Sequence, residues 1–194
     1  MGVGGHGSWC GEMKSRAIFL DRDGVLNHAV VRNGKPYPPA DAKDVRVYEG
    51  LEKELDHLKD RGFAIIVVTN QPDVGRGKTS RASVEAINKV IATSIPAIDR
   101  FIVCFHDNDD NCDCRKPKPG MLKAGAAAFN VDLSRSYMVG DRKSDVEAGL
   151  AAGSRTIFID RFYNEPAPTG YHFRVYSTSE ALHLIMSENS DEKN

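Results

Sequence analysis

The sequence predicts an α/β protein: a Rossmann-like parallel sheet with helices on both faces and no large cap domain. Three observations carry that expectation. Short apolar runs of strand length alternate with longer segments whose apolar residues recur at helical spacing. One run, residues 63–68 (FAIIVV), is apolar without alternation, as a strand covered on both faces should be. The chain has 194 residues, 41% hydrophobic and 27% charged, the make-up of an ordinary globular domain. A chain of this size buries roughly 70% of its unfolded surface and needs no disulfide framework.

The elements follow in order. Residues 1–15 (MGVGGHGSWCGEMKS) are expected to be unstructured. Gly2, Gly4 and Gly7 satisfy G-x-G-x-x-G, but no strand can precede residue 2, so the dinucleotide-binding context fails. The first strand is 17–20 (AIFL). A helix over 49–61 carries Leu51, Leu55 and Leu58 on one face and stops at Gly62. The strand at 63–68 follows, then a helix over 81–94 closed by Pro96, a third strand at 101–103, and an Ala-rich helix over 119–129 with proline at its start. A fourth strand at 137–139, a helix over 144–152 and a fifth strand at 156–159 complete the alternation; 173–175 and 180–186 add a strand and a helix. Residues 16–186 form the domain, and 187–194 a frayed polar tail.

The formal net charge of −1 argues against a broad nucleic-acid surface, which needs clustered excess Lys and Arg. No stretch reaches the roughly 20 apolar residues of a membrane span, and the N-terminus lacks a signal-peptide core. The expectation is a cytoplasmic, monomeric enzyme-sized domain.

In sheets of this kind ligands lie beyond the carboxyl ends of the strands, so chemistry is sought there. After the first strand come Asp21 and Asp23, followed by Gly24 and Asn27. If the chain stays extended the two carboxylates point the same way. Their repulsion is relieved by a hard cation such as Mg²⁺, or the pair is a solvated acidic turn. After the second strand come Thr69, Asn70 and Gln71, donors for phosphate oxygens or a capping turn. Gly77-Lys78-Thr79 resembles the end of a P-loop, but that motif needs glycine at position 72, which is proline.

After the third strand come Cys104, His106, Cys112 and Cys114. Three thiolates and an imidazole suit tetrahedral Zn²⁺, and with all four positions filled the metal is structural. It would pin the polar loop 104–114, which cannot order itself by packing. The alternative is a set of reduced surface cysteines; Cys10 stands apart. Arg115 and Lys116 follow the last sulfur, a bidentate fork and a point charge suited to phosphate, or a solvated basic patch. After the fourth strand, Asp141 and Asp145 lie at a helix start, where the dipole favours anions.

In this order the motifs resemble the haloacid dehalogenase superfamily of phosphatases: D-x-D-G-[TV] at Asp21–Val25, Thr69, Lys116, and Gly140-Asp141 with Asp145. The Cys/His loop, C-x-H…C-x-C-R-K-P-x-P-G-M, resembles the D-glycero-D-manno-heptose 1,7-bisphosphate phosphatases and the related histidinol-phosphate phosphatases. The resemblance implies the haloacid dehalogenase fold with a small zinc-binding loop. It also implies hydrolysis of a small phosphorylated substrate, a heptose bisphosphate going to heptose 1-phosphate. Asp21 would be the nucleophile. Asp23 would be the acid–base residue and would also ligate Mg²⁺ through its backbone carbonyl. Asp141 would complete the Mg²⁺ ligands, and Thr69 and Lys116 would balance phosphoryl charge. Asn27, Asn70, Arg115 and Arg142 would contact substrate. Histidinol phosphate is the alternative substrate, and a zinc-stabilised binding protein on a phosphatase scaffold the non-enzymatic alternative. The rim would come from the zinc loop and residues 27–47.

Overall fold

The computed structural model describes residues 15–190. The expected unstructured segment, with Cys10 and the Gly2, Gly4 and Gly7 pattern, lies outside the described residues except for Ser15, as do residues 191–194 of the tail. In chain order the elements are β1 (Arg16–Leu20), β2 (Val30–Arg32), β3 (Lys35–Tyr37), α1 (Leu51–Asp60), β4 (Phe63–Asn70), α2 (Pro72–Gly75), α3 (Arg81–Ser94), β5 (Arg100–Cys104), α4 (Gly120–Phe129), β6 (Tyr137–Gly140), α5 (Lys143–Ala152), β7 (Arg155–Ile159), β8 (Phe173–Val175) and α6 (Thr178–Glu188).

Six strands form one sheet in the order β5-β4-β1-β6-β7-β8, and every neighbouring pair is parallel. Alternation along β1 explains its layers. Ile18 and Leu20 face a core shared with Leu55 of α1, Ile91 of α3 and Leu182 of α6. Ala17 and Phe19 face the opposite core, with Met121 of α4 and Ala148 of α5. Both faces are thus covered, as the unbroken apolar run of β4 requires. Serine caps fix two helix starts: Ser80 Oγ accepts from Ser83 N at 3.0 Å, and Ser177 Oγ from Glu180 N at 3.1 Å. No helix among the described residues is long and apolar enough to cross a membrane.

Two differences from the sequence reading concern the site. A two-stranded hairpin, β2–β3, rises from the 27–47 segment, with Asn33 and Gly34 both at positive φ in its turn. The Asn-Gly pair is the usual signal for such a turn and was the cue available in the sequence. The domain also runs past residue 186: α6 continues to Glu188, and Asn189 bonds Arg16 Nη1 at 2.7 Å and the Tyr137 hydroxyl at 3.2 Å.

Candidate active site

The chain runs from β1 out through β4 to β5, then returns to the other side of β1 for β6, β7 and β8. The crevice between the carboxyl ends of β1 and β6 is therefore where outgoing loops diverge and leave room for a ligand. Asp21 stands on one lip and Asp141 on the other. The Asp21 amide donates to Val139 O at 3.0 Å, which holds the two strand ends in register.

Lys116, reaching in from the loop before α4, sits at the centre. Its Nζ lies 2.6 Å from Asp21 Oδ1 and 2.6 Å from Asp145 Oδ1, and donates to Val68 O at 2.8 Å. All three side chains are buried. Burial opposes the ammonium charge, but Asp145 and Asp21 outweigh it and hold the Lys116 pKa above its ordinary value. Burial pushes the Asp21 carboxyl up to about 6; Lys116 opposes the rise, and Asp145 and Asp23 add to it. Asp141 is raised well above the carboxylate range, first by burial, then by Asp21 and Asp145. The Tyr163 hydroxyl approaches Asp141, yet neither buried carboxylate oxygen has an aligned donor.

Asp21, Asp141 and Asp145 bring carboxylate oxygens within 4.8 Å of one another. Three buried acids with one lysine leave excess negative charge, and the Asp141 oxygens, approached by the Tyr163 hydroxyl, have no aligned hydrogen-bond partner. A hard divalent cation fits both features. The approach of the backbone is part of the fit. Gly24 has φ 91°, and a Cβ there would fall 1.8 Å from Asp141 Oδ2.

Asp23 departs from the paired-carboxylate expectation. The chain does not stay extended after β1: Gly24 N turns back to Asn27 O at 2.7 Å. The Asp23 carboxylate is instead taken by Arg22, Asn27 and Gln71. Its carboxylate thus lies apart from the three-acid group, whose third member is Asp145. Asn27 is likewise moved from the sequence expectation of a substrate contact. It is fully buried, and its amide donates to Asp23 Oδ1 at 3.0 Å and to His28 O at 3.1 Å. It stands behind Asp23 and orients it.

Thr69, at the end of β4, borders the small catalytic cavity of about 70 Å³ with Asp21, Asp23 and Lys116. Pro36, Tyr37 and Pro38 of the hairpin close its other side. Asn70 holds Lys116 by its backbone, donating to Lys116 O at 3.0 Å and accepting from Lys116 N at 3.1 Å. A second cavity of about 460 Å³ continues from Asn70 and Lys116 along the Cys/His loop to Arg115, Lys118, Arg142 and Ser144. Arg115 donates to Asn108 Oδ1 at 3.0 Å, and Arg142 forks onto Glu165 at 2.6 and 2.9 Å.

The Cys/His loop closes as its spacing predicts. Cys114 Sγ lies 3.2 Å from Cys104 Sγ and 3.6 Å from Cys112 Sγ, and Cys104 and Cys112 are 3.8 Å apart. His106 Nδ1 lies 3.3 Å from Cys114 Sγ and 3.7 Å from Cys104 Sγ. A tetrahedron with arms of about 2.3 Å has edges of about 3.8 Å, so one zinc fits among these four atoms. The loop is fastened to α2 as well: Gly75 N donates to Phe105 O at 3.1 Å, and Arg76 forks onto Asp107 at 2.5 and 2.8 Å.

Sequence reasoning missed one participant, Arg22, which is fully buried inside the first motif. It named Gln71 and Asp145 without their partners: Gln71 bridges Asp23 and Thr69, and Asp145 is the second partner of Lys116. An arginine between two aspartates was the one visible cue.

The chain is similar to known proteins over most of its length. Residues 113–166 match the HAD-hydrolase-like family. The chain is 34% identical to the D-glycero-beta-D-manno-heptose-1,7-bisphosphate 7-phosphatase of Haemophilus ducreyi, over 77% of this chain and 85% of that one. It is 35% identical to the Escherichia coli K12 enzyme of the same name, over 75% and 78%. Among solved structures, the D,D-heptose 1,7-bisphosphate phosphatase of B. bronchiseptica, complexed with magnesium and phosphate, superposes with a TM-score of 0.74 at 24% identity, covering 89% of this chain and 99% of that one.

Proposed function

The chain belongs to the haloacid-dehalogenase-like phosphatases, in the family of its heptose-bisphosphate phosphatase relatives, and from that premise we propose that it is a Mg²⁺-dependent phosphatase removing the 7-phosphate of D-glycero-β-D-manno-heptose 1,7-bisphosphate. The observation that carries the reading is the meeting of Asp21, Lys116, Asp141 and Asp145 at the strand switch point.

In this reading an Asp21 carboxylate oxygen attacks phosphorus while the bond from phosphorus to the sugar oxygen breaks. Asp23 delivers a proton to that departing oxygen. The aspartyl-phosphate is then cleaved by a water whose proton Asp23 takes back, returning Asp21 and inorganic phosphate. Lys116 and the Thr69 hydroxyl offset the charge on the phosphoryl oxygens, the main requirement of this transfer. Asp145 holds Lys116 in place. Asp21, the Asp23 carbonyl and Asp141 would hold Mg²⁺, which when bound would supply further neutralisation of phosphoryl charge. Cys104, His106, Cys112 and Cys114 would hold a structural zinc, which would stiffen the chain leading into Arg115 and Lys116. The cavity of about 460 Å³ is roomy enough for the body of a sugar bisphosphate, with Arg115 and Arg142 at its wall.

The test is phosphate release from the heptose bisphosphate and from histidinol phosphate, in Mg²⁺-free buffer and after Mg²⁺ is restored. Fast Mg²⁺-dependent release from the bisphosphate, abolished in Asp21→Asn, is expected. A strong preference for histidinol phosphate overturns the sugar assignment. Absence of hydrolysis from any phosphomonoester leaves the binding-protein reading.

A further inference from the structure

Gln71 lies at the carboxyl end of β4, just past Thr69, and is 4% exposed. Its backbone amide donates to Cys104 O at 2.7 Å, which fixes it against β5. Its side-chain Nε2 makes two bonds: 3.0 Å to Asp23 Oδ2 and 3.0 Å to Thr69 Oγ1. Asp23 already accepts from Arg22 and Asn27, so the Gln71 atom facing it is the NH₂ group. An amide NH₂ carries two hydrogens, and both are spent. Gln71 therefore addresses two residues of the site and has no Nε2 donor left for substrate.

The bonds around Asp23 are unequal. Oδ2 accepts three: Arg22 Nε at 3.1 Å, Arg22 Nη2 at 2.8 Å and Gln71 Nε2. Oδ1 accepts one, from Asn27 Nδ2. Arg22 is itself braced, donating from Nη1 to Asn88 Oδ1 of α3 at 2.9 Å. An oxygen that accepts three donors has no lone pair left for a proton, so the transferable proton belongs on Oδ1. On the other side, Thr69 Oγ1 is an acceptor from Gln71, so its own hydrogen is left for an oxygen in the catalytic cavity.

We propose that Gln71 is a positioning residue: through one amide it tethers Asp23 Oδ2 alongside Arg22, holding the carboxylate so that Oδ1 carries the proton delivered to the departing sugar oxygen, and it turns the Thr69 hydroxyl outward as a donor. The proposal rests on the acid–base role of Asp23. In the first step the Oδ1–H bond breaks as the sugar oxygen takes the proton, and the electron pair of the breaking phosphorus–oxygen bond stays on that oxygen.

The consequence is a dependence on the leaving group. A sugar alkoxide needs the proton; nitrophenolate departs without it. The experiment compares kcat/KM for the heptose bisphosphate and for p-nitrophenyl phosphate in the wild type, Gln71→Met and Gln71→Asn. This parameter covers only the steps up to formation of the aspartyl-phosphate. For Gln71→Met the expected fall is about 100-fold on the sugar substrate, the lower end of what a general acid contributes, and about tenfold or less on the aryl substrate. Gln71→Asn withdraws the same amide by one methylene and covers the case in which Met does not fold. In an Asp23→Asn background the extra loss on the sugar substrate should vanish. Equal falls on both substrates, or no fall on either, overturn the proposal. A wild type that shows no Mg²⁺-dependent turnover of the sugar substrate instead overturns the reading on which it rests.

Discussion

Replacing Lys116 by methionine keeps the length and apolar stem of the side chain and removes its charge. The wild-type ammonium is 3% exposed and lies 2.6 Å from each of two buried carboxylates. Taking away one partner of a buried ion pair costs about 3–5 kcal/mol, because the remaining charge is stranded. Here three acids are stranded together. A domain of ordinary stability, about 5–15 kcal/mol, should still fold in the cold. The loss must depend on pH, and the sign follows from Asp21. Its folded pKa, already raised to about 6, rises further without Lys116, while the unfolded value stays ordinary. A raised acid is stabilising below its unfolded pKa, and that contribution is lost as pH rises through the folded value. The deficit of Lys116→Met relative to wild type should therefore be largest at pH 8. By pH 5 it should shrink by at least about 1.4 kcal/mol, the worth of one pKa unit. Urea unfolding of both proteins, zinc-loaded and in Mg²⁺-free buffer without chelator, measures it. A deficit below about 1 kcal/mol, or the same deficit at both pH values, would refute the role of Lys116 as counterion to this acid cluster.

Other outcomes follow from the same geometry. Gly24→Ala places a Cβ 1.8 Å from Asp141 Oδ2 at a φ of 91°. The backbone strain costs about 1–2 kcal/mol, and a displacement of Asp141 by about 1 Å should lower kcat/KM about 100-fold, both readable by melting and steady-state kinetics. Mg²⁺ at 100 times its Kd should stabilise the protein by about 2.7 kcal/mol at pH 8. It should do so less at pH 5, where Asp21, at about 6, has taken a proton that the cation must displace; thermal shift at the two pH values checks this. The protein as purified should hold one zinc per chain by elemental analysis. Cys112→Ser should lose it and expose the 107–113 loop to limited proteolysis while the α/β core keeps its far-ultraviolet spectrum.

Much of the fold was legible because its signals are local. Helix 81–94 could be placed to the residue: Ser80 offers a cap, the apolar positions recur at helical spacing, and Pro96 lies just past the end. The inner strands β1, β4 and β6 were readable because both faces of the sheet are covered, which makes them largely apolar. The hairpin over 30–37 was overlooked because its strands are three residues long and half exposed, too short for a period to register.

The candidate site divides along the same line. Residue types and their place after each strand determined that Asp21, Thr69 and Asp141 would meet, since parallel strands bring their carboxyl ends together; Lys116, twelve residues past the end of β5, is brought to them by the loop before α4. The sulfur and imidazole spacing likewise determined that Cys104, His106, Cys112 and Cys114 would converge. Partner and orientation were decided in three dimensions. Lys116 and Asp21 are 95 positions apart and bond at 2.6 Å. Whether Lys116 would also pair with Asp145 depended on how α5 enters the crevice. Asp23 borders the same cavity as Asp21, but its carboxylate is held by Arg22, Asn27 and Gln71, partners that the fold-back at Gly24 and the end of β4 supply. A pattern along the chain records which groups arrive at the end of a sheet. The direction each one faces is set by turns and neighbours that meet only when the layers close.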